Sequence, residues 1–258
     1  MSERRFGLIV IGDELLSGKR RDKHFPRVVE LLDARGLELS WVRFIGDDAE
    51  LVERNLRESF ASGDIVFSCG GIGATPDDRT RECAARVLGV PLTRHPEGIA
   101  ELEARFGEPV AQERRLRLVE FPEGAAIIPN PVNRVPGFAI REHYFVPGFP
   151  NMAWPMIEWV LDRHYAYLHA PGRHTEQAIH VDGARESDVI PLMERFVAAH
   201  PELRLSCLPS TDSDHFALEL GIRGPAAAVE AGMAEIRRDV DRLGFRWEAV
   251  SLIRRDDS

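Results

Sequence analysis

The chain has 258 residues, enough for one large domain or for a medium domain with a smaller one. Hydrophobic residues make up 44% and charged residues 29%, so a sizeable core can form, and no apolar run nears the ~20 residues of a bilayer span. The net charge of −9 makes the chain a poor candidate for nucleic-acid binding.

Three cysteines, Cys69, Cys83 and Cys207, form no C-x-x-C pair, which suits a reducing cytoplasm. The N-terminus runs straight into a strand pattern without a signal-peptide hydrophobic segment. Residues 6–11 are an apolar run and read as the first strand. A loop from Gly12 to Gly18 follows, and Asp22 then caps a helix to about residue 35, with Val28, Val29, Leu31 and Leu32 inward. Gly36 closes that helix. Residues 37–45 read as the second strand. Asp47 with Glu50 reads as a capping box for a helix to about residue 62. Residues 64–67 are the third strand, and residues 79–88 carry helical spacing.

Beyond residue 91, two amphipathic helices are expected at 97–106 and 111–119, broken by Gly107 and Pro109. A short strand at 125–128, a turn-rich loop at 130–137 and a hairpin of 138–140 with 144–146 come next. A turn at 147–152 leads into a helix to about residue 165. The composition shifts at residues 168–173, which read as a linker. After it, strands at 176–181, 203–208, 216–222 and 245–252 alternate with two helices, the first capped by Ser187 and the second opened by Pro225 after Gly224. The expected fold is a three-layer α/β/α, mostly parallel sheet over residues 1–170, with a smaller βαββαβ, ferredoxin-like α+β domain over residues 171–258.

The stretch Ser68-Cys69-Gly70-Gly71-Ile72-Gly73-Ala74-Thr75-Pro76-Asp77-Asp78 joins a buried strand to a helix. In an open α/β sheet ligands bind at such carboxyl ends. Gly70, Gly71 and Gly73 let backbone N–H groups approach an anion, and the following helix start adds partial positive charge. Carboxylates beside an anion need a cation or a hydroxyl between them, so Asp77 and Asp78 point to a metal or a gripped hydroxyl. A plain turn with one aspartate as helix cap reads the same residues equally well. Cys69 reads as a small buried filler. Other chemistries find no support. The nine histidines show no zinc spacing, the Gly12–Gly18 loop is not a Walker A loop, and neither a full dinucleotide fingerprint nor a G-x-S-x-G elbow is present.

The run from Gly70 to Thr80 resembles the glycine-rich motif of MoaB/Mog-type molybdopterin-binding domains, in the branch of CinA-like proteins, with Ala74 in place of the usual proline. Gly12-Asp13-Glu14-Leu15-Leu16-Ser17-Gly18 resembles the N-terminal signature of the same family, which continues with Asp and then Asn; here Asp22 is kept and His24 stands in the Asn place. Residues 129–138 resemble the family's Asn-Pro…Pro-Gly-Phe loop. Residues 147–152 resemble its Pro-Gly turn, with Asn151 where an acid is common. The resemblance implies a cleft that binds a phosphate-bearing pterin or nucleotide, with molybdopterin as a ligand. The alternative it implies is a metal-dependent pyrophosphatase acting on ADP-ribose or a related dinucleotide. The candidate catalytic residues are Asp77, Asp78 and Glu14, and Asp77 and Asp78 would hold a divalent metal, Mg²⁺ first. The candidate ligand-binding residues are Gly12, Asp13, Gly70, Gly71, Gly73, Thr75, Asn130, Arg134 and Gly148. Arg134 could clamp a phosphate or lie on the surface. A homo-oligomer is expected by analogy. Such relatives often carry a further amidohydrolase domain, for which this chain is too short.

Overall fold

The structure is a computed structural model and describes residues 4–107, 113–210 and 216–250. It divides into two compact units, one ending at His169 and one starting at Ala170.

The first unit begins with β1 (Phe6–Ile11), a one-turn α1 (Asp13–Leu16), α2 (His24–Asp33), β2 (Leu39–Ile45), α3 (Ala49–Ser62), β3 (Ile65–Cys69) and α4 (Thr80–Leu88). It continues through β4 (Leu92–Arg94), α5 (Pro96–Phe106), α6 (Glu113–Leu116), β5 (Glu120–Pro122), β6 (Ala126–Ile128), β7 (Gly137–Ile140), β8 (His143–Val146) and α7 (Pro150–His164). Six strands form one sheet in the order β2-β1-β3-β8-β7-β6. The first four pair in parallel, and β7 and β6 add antiparallel strands at one edge.

β1 shows why the sheet has helices on both faces. All six of its residues are buried. Phe6, Leu8 and Val10 pack with Val28, Leu32, Met156 and Val160 of α2 and α7. Ile9 and Ile11, one step out of phase, pack with Val52, Leu56 and Ala84 of α3 and α4 and with Leu102 of α5. A strand buried on both faces reads as a continuous apolar run rather than an alternation, and its period of two sends neighbours into different layers. This is the expected α/β/α sandwich.

Several local expectations are corrected. Asp48 rather than Asp47 caps α3, accepting from the Leu51 N–H at 2.9 Å. Neither Asp77 nor Asp78 caps α4, whose N-cap position is Arg79. The expected helix at 111–119 becomes the short α6 and a 3₁₀ turn at Arg117–Val119, and its residues 111 and 112 lie outside the described residues. β4 and β5 form a two-stranded ribbon that the sequence pattern does not announce.

The second unit comprises β9 (His174–Asp182), α8 (Glu186–Ala199), β10 (Arg204–Pro209), β11 (Ala217–Pro225), α9 (Ala226–Arg242) and β12 (Arg246–Val250). Its sheet is antiparallel in the order β10-β11-β9-β12. Val189, Leu192 and Phe196 of α8 and Met233, Ile236 and Val240 of α9 pack on Ile179, Leu218, Leu220 and Ile222. Strand–helix–strand, twice, with the two halves interleaved, is the ferredoxin-like arrangement. Asp188, not Ser187, completes the start of α8 by accepting from the Arg185 N–H. Residues 251 and 252 of the expected last strand lie outside the described residues.

Candidate functional site

β1, β3 and β8 are parallel neighbours, so their carboxyl ends open on one edge of the sheet. The chain leaves β1 toward β2 on one side and reaches β3 on the other, which makes a crevice at this edge. The loops after β1, β2, β3 and β8 surround a cleft of about 470 Å³.

Its floor is bare backbone. Gly70 has φ 108° and Gly71 φ 67°, both in the region that favours glycine. A Cβ on Gly70 would lie 2.3 Å from the Ile11 carbonyl oxygen, and one on Gly71 would lie 2.2 Å from Thr80 Oγ1. The loop therefore needs glycine at these positions on steric grounds alone. Gly70 N–H donates to the Val146 carbonyl at 3.0 Å, and Thr80 N–H donates to the Gly71 carbonyl at 3.0 Å. These bonds tie the turn to β8 and to the start of α4.

Thr75-Pro76-Asp77-Asp78 is a β-turn, closed by the Asp78 N–H donating to the Thr75 carbonyl at 3.0 Å, with proline in its favoured second place. The Asp78 carboxylate returns to the start of the turn. It accepts from the Thr75 N–H at 2.9 Å and from the Thr75 hydroxyl. The exposed Asp77 carboxyl is held below the usual carboxylate range, first by the same hydroxyl. The hydroxyl has one hydrogen and so serves one of the two carboxylates at a time; here it bonds Asp78, which also takes the Thr75 N–H.

A second set of acids stands on the β1 and β2 side. Asp13 N–H donates to the Asp47 carboxylate at 2.9 Å, and Asp47 N–H donates to the Asp13 carboxylate at 3.2 Å. Gly46 makes room for this exchange, since a Cβ there would lie 2.5 Å from Asp13 Oδ1. Burial pushes the Asp47 carboxyl up, and the charges of Asp13, Glu14 and Asp77 add to the rise. Asp47, Glu14, Asp77 and Asp78 all line the cleft, and Arg20 is the sole cation among the described lining residues. The opposite wall is apolar, with Leu118, Val135, Pro136, Met152 and Phe149, the last 56% exposed.

Of the residues singled out from sequence, Gly12, Glu14, Gly70, Gly71, Gly73, Thr75, Asp77, Asp78 and Gly148 line the cleft. Asp13 reaches it only through Asp47. Asn130 and Arg134 do not line it. The Asn130 side chain is spent within its own loop, on the Val135 carbonyl and the Val132 N–H. Arg134 pairs with Glu101 at 3.5 Å beside a separate groove containing Trp159. His24 is buried, and its Nε2–H donates to the Gly148 carbonyl at 3.1 Å. It acts on the cleft only by holding that turn. Burial keeps its ring toward the neutral form. Cys69 is fully buried and its thiol is pushed up by burial, so it is packing and not a nucleophile.

Sequence reasoning missed four residues: Arg20, Asp47, Asn133 and Arg81. Arg81 is only 7% exposed and donates to the carbonyls of Gly73 and Arg117. A guanidinium thus lies under the glycine turn and turns the Gly73 carbonyl toward itself. Burial lowers its pKa, and the Asp78 charge offsets part of that. Among the described residues no three His, Cys, Asp or Glu side chains converge on a common metal position. No helix of the described residues is long and apolar enough to cross a membrane.

The family model described as a probable molybdopterin binding domain matches residues 7–166, the whole α/β/α unit with its cleft. The chain belongs to this family. CinA-like proteins are similar to this molybdopterin-binding domain chain. One from Desulfovibrio desulfuricans is 35% identical over 159 residues, covering 60% of this chain and 37% of that protein. Another, from Anaeromyxobacter sp. strain Fw109-5, is 36% identical over 274 aligned positions, covering 95% of this chain and 66% of that protein. The chain spans between 37% and 66% of the length of these two curated relatives. The crystal structure of a CinA protein of unknown function from Thermoplasma acidophilum superposes with a TM-score of 0.57 at 23% identity, over 63% of this chain and 98% of that one. It supports the fold of the domain.

Proposed function

We propose that the cleft binds a small molecule through its phosphate, a pterin such as molybdopterin or a nucleotide. The observation that carries this reading is the floor at Gly70 and Gly71, where backbone lies open to the cleft and no Cβ fits. The Gly70 and Thr75 N–H groups are already bonded, so the N–H groups left to suit an oxyanion are those of Gly71 to Ala74, before the start of α4. Arg81 beneath the turn adds fixed positive charge. The apolar wall with Phe149 offers a surface for a planar ring, and the carboxylates opposite can accept from ring amines or hydroxyls. The family match gives independent support for the pterin.

Calorimetry with inorganic pyrophosphate and with ADP-ribose tests the site. Gly71→Val, checked for folding by circular dichroism, should bind neither. An unchanged affinity in the folded variant would place the ligand elsewhere.

A second reading, metal-dependent cleavage of a dinucleotide pyrophosphate, is favoured by the acid rim. Asp47 feels the charges of Asp13, Glu14 and Asp77, and a divalent cation would relieve that repulsion. The donor set fits Mg²⁺ only in part. Asp77 is free to hold it, Asp78 is engaged by Thr75, and waters and phosphate oxygens would supply the remaining ligands. Bound there, the ion would neutralise the diphosphate and polarise a water. AMP release from ADP-ribose, stopped by EDTA and by Asp77→Asn, is the expected result for this reading. No release with Mg²⁺, Mn²⁺ or Co²⁺ removes it.

A further inference from the structure

We infer that Arg20 is the side chain by which this cleft reads the anionic group of its ligand, an inference that rests on the binding role proposed above. Four carboxylates line the cleft, and Arg20 alone among the described lining residues is positive. The loop that carries it is fixed at its root. Arg20 N–H donates to the Glu14 carbonyl at 3.0 Å, and Ser17 and Gly18 N–H groups donate to Asp13 and Leu15. The backbone of Arg20 is thereby set at the cleft, while its side chain stays exposed.

The place of Arg20 in the cleft is what singles it out. Some arginines of the unit are tied to carboxylates, Arg5 to Asp64 and Arg35 to Asp162 among them, and so are not free to meet a ligand. Arg20 lines the cleft together with Glu14, Asp47 and Asp77 and, among the described residues, forms no ion pair with them, so its guanidinium is available to a ligand. A guanidinium prefers a bidentate oxyanion, and a phosphate bound against the glycine floor would supply one. The carboxylate rim sharpens the selection. With Arg20 neutralised, the rim would repel an anion; with Arg20 free, an anion enters beside it and an uncharged analogue gains nothing from it.

The test uses the full chain, with inorganic pyrophosphate and ADP-ribose as anionic probes and adenosine as the uncharged control, by calorimetry at low and moderate salt. Arg20→Gln should bind both anionic probes roughly 10- to 100-fold more weakly than wild type, with the difference shrinking as salt rises. Arg20→Lys should recover part of the loss, because it restores charge without the fork. Adenosine binding should not change. Since the side chain is exposed, thermal melts of all three proteins should coincide. Equal affinities of wild type and Arg20→Gln for the anionic probes would overturn the role of Arg20 and leave the binding role standing. A wild type that binds neither anionic probe would overturn both together. Equal weakening of adenosine would show that Arg20 shapes the cleft and reads no charge, and would also overturn the inference.

Discussion

The pair Gly71 and Thr80 allows the steric basis of the cleft floor to be measured. Gly71→Ala brings two separate costs. At φ 67° an L-residue costs about 1–2 kcal/mol relative to glycine. The new Cβ also falls 2.2 Å from Thr80 Oγ1 and 3.3 Å from Thr80 Cβ, and overpacking of this kind costs about 1–3 kcal/mol. The sum is about 2–5 kcal/mol. Thr80→Ala removes the clashing oxygen, together with its long 3.3 Å bond to the Gly70 carbonyl, and should cost about 1–2 kcal/mol by itself. In the double variant the backbone cost remains and the clash is largely gone, so the two changes should be coupled favourably by about 1–2 kcal/mol. Urea unfolding of the four proteins gives the cycle, read on the fluorescence of Trp41, Trp154 and Trp159 of the first unit. Additive costs, within about 0.5 kcal/mol, would refute the claim that Thr80 is what forbids a side chain at Gly71.

The remaining expectations concern other parts of the chain. His143 is buried against Phe60, with Nε2 2.8 Å from the Ser59 hydroxyl, and burial lowers its pKa from 6.5 to about 3. A depressed histidine pKa favours the fold fully above pH 6.5 and loses that advantage as pH falls toward 3, by at most about 5 kcal/mol. Melts from pH 7 to 4 should show this fall, and His143→Gln should flatten it. Arg81→Met should destabilise the chain by about 1–3 kcal/mol, because the carbonyls of Gly73 and Arg117 lose their donor, and a melt unchanged by the substitution would contradict the contact. Residues 1–169 expressed alone should melt cooperatively, since the clusters on both faces of the first sheet contain no residue from the second unit.

The sheet and the cleft floor were legible because their signals are local. A continuous apolar run in β1, β3 followed by three glycines, and a helical period in α4 each lie within about a dozen residues. The capping residue of α3 was missed by one position. Asp47 and Asp48 are both good caps, and only the tertiary partner Asp13 decides which of them is free to turn inward. β4 and β5 are three residues each and far apart in sequence, so neither carries a periodicity. Arg20, Asp47 and Asn133 enter the cleft from three different loops, and no spacing rule joins them. Asn130 and Arg134 sit in a loop rich in turn residues. That composition predicts a turn well, but it does not say which side chains the turn itself consumes.

The two adjacent aspartates show how far a motif can be read before geometry is needed. In sequence Asp77 and Asp78 are equal candidates. In the fold they are divided by a single β-turn. Asp78, at its last position, is drawn back onto Thr75 N–H and hydroxyl, and Asp77, at its third, is left to solvent at the cleft. Replacing Asp78 by Asn would leave one oxygen for the N–H and hydroxyl of Thr75 but would remove the charge that strengthens both bonds, so the turn should loosen. Any loss of binding or turnover in Asp78→Asn would therefore follow from a displaced floor as readily as from a missing ligand to a metal. Asp77→Asn leaves the turn closed. If it alone abolishes metal-stimulated cleavage with phosphate binding intact, the carboxylate acts on the cation. If it changes neither, the acid rim serves recognition, and the cleft is a binding site that breaks no bond.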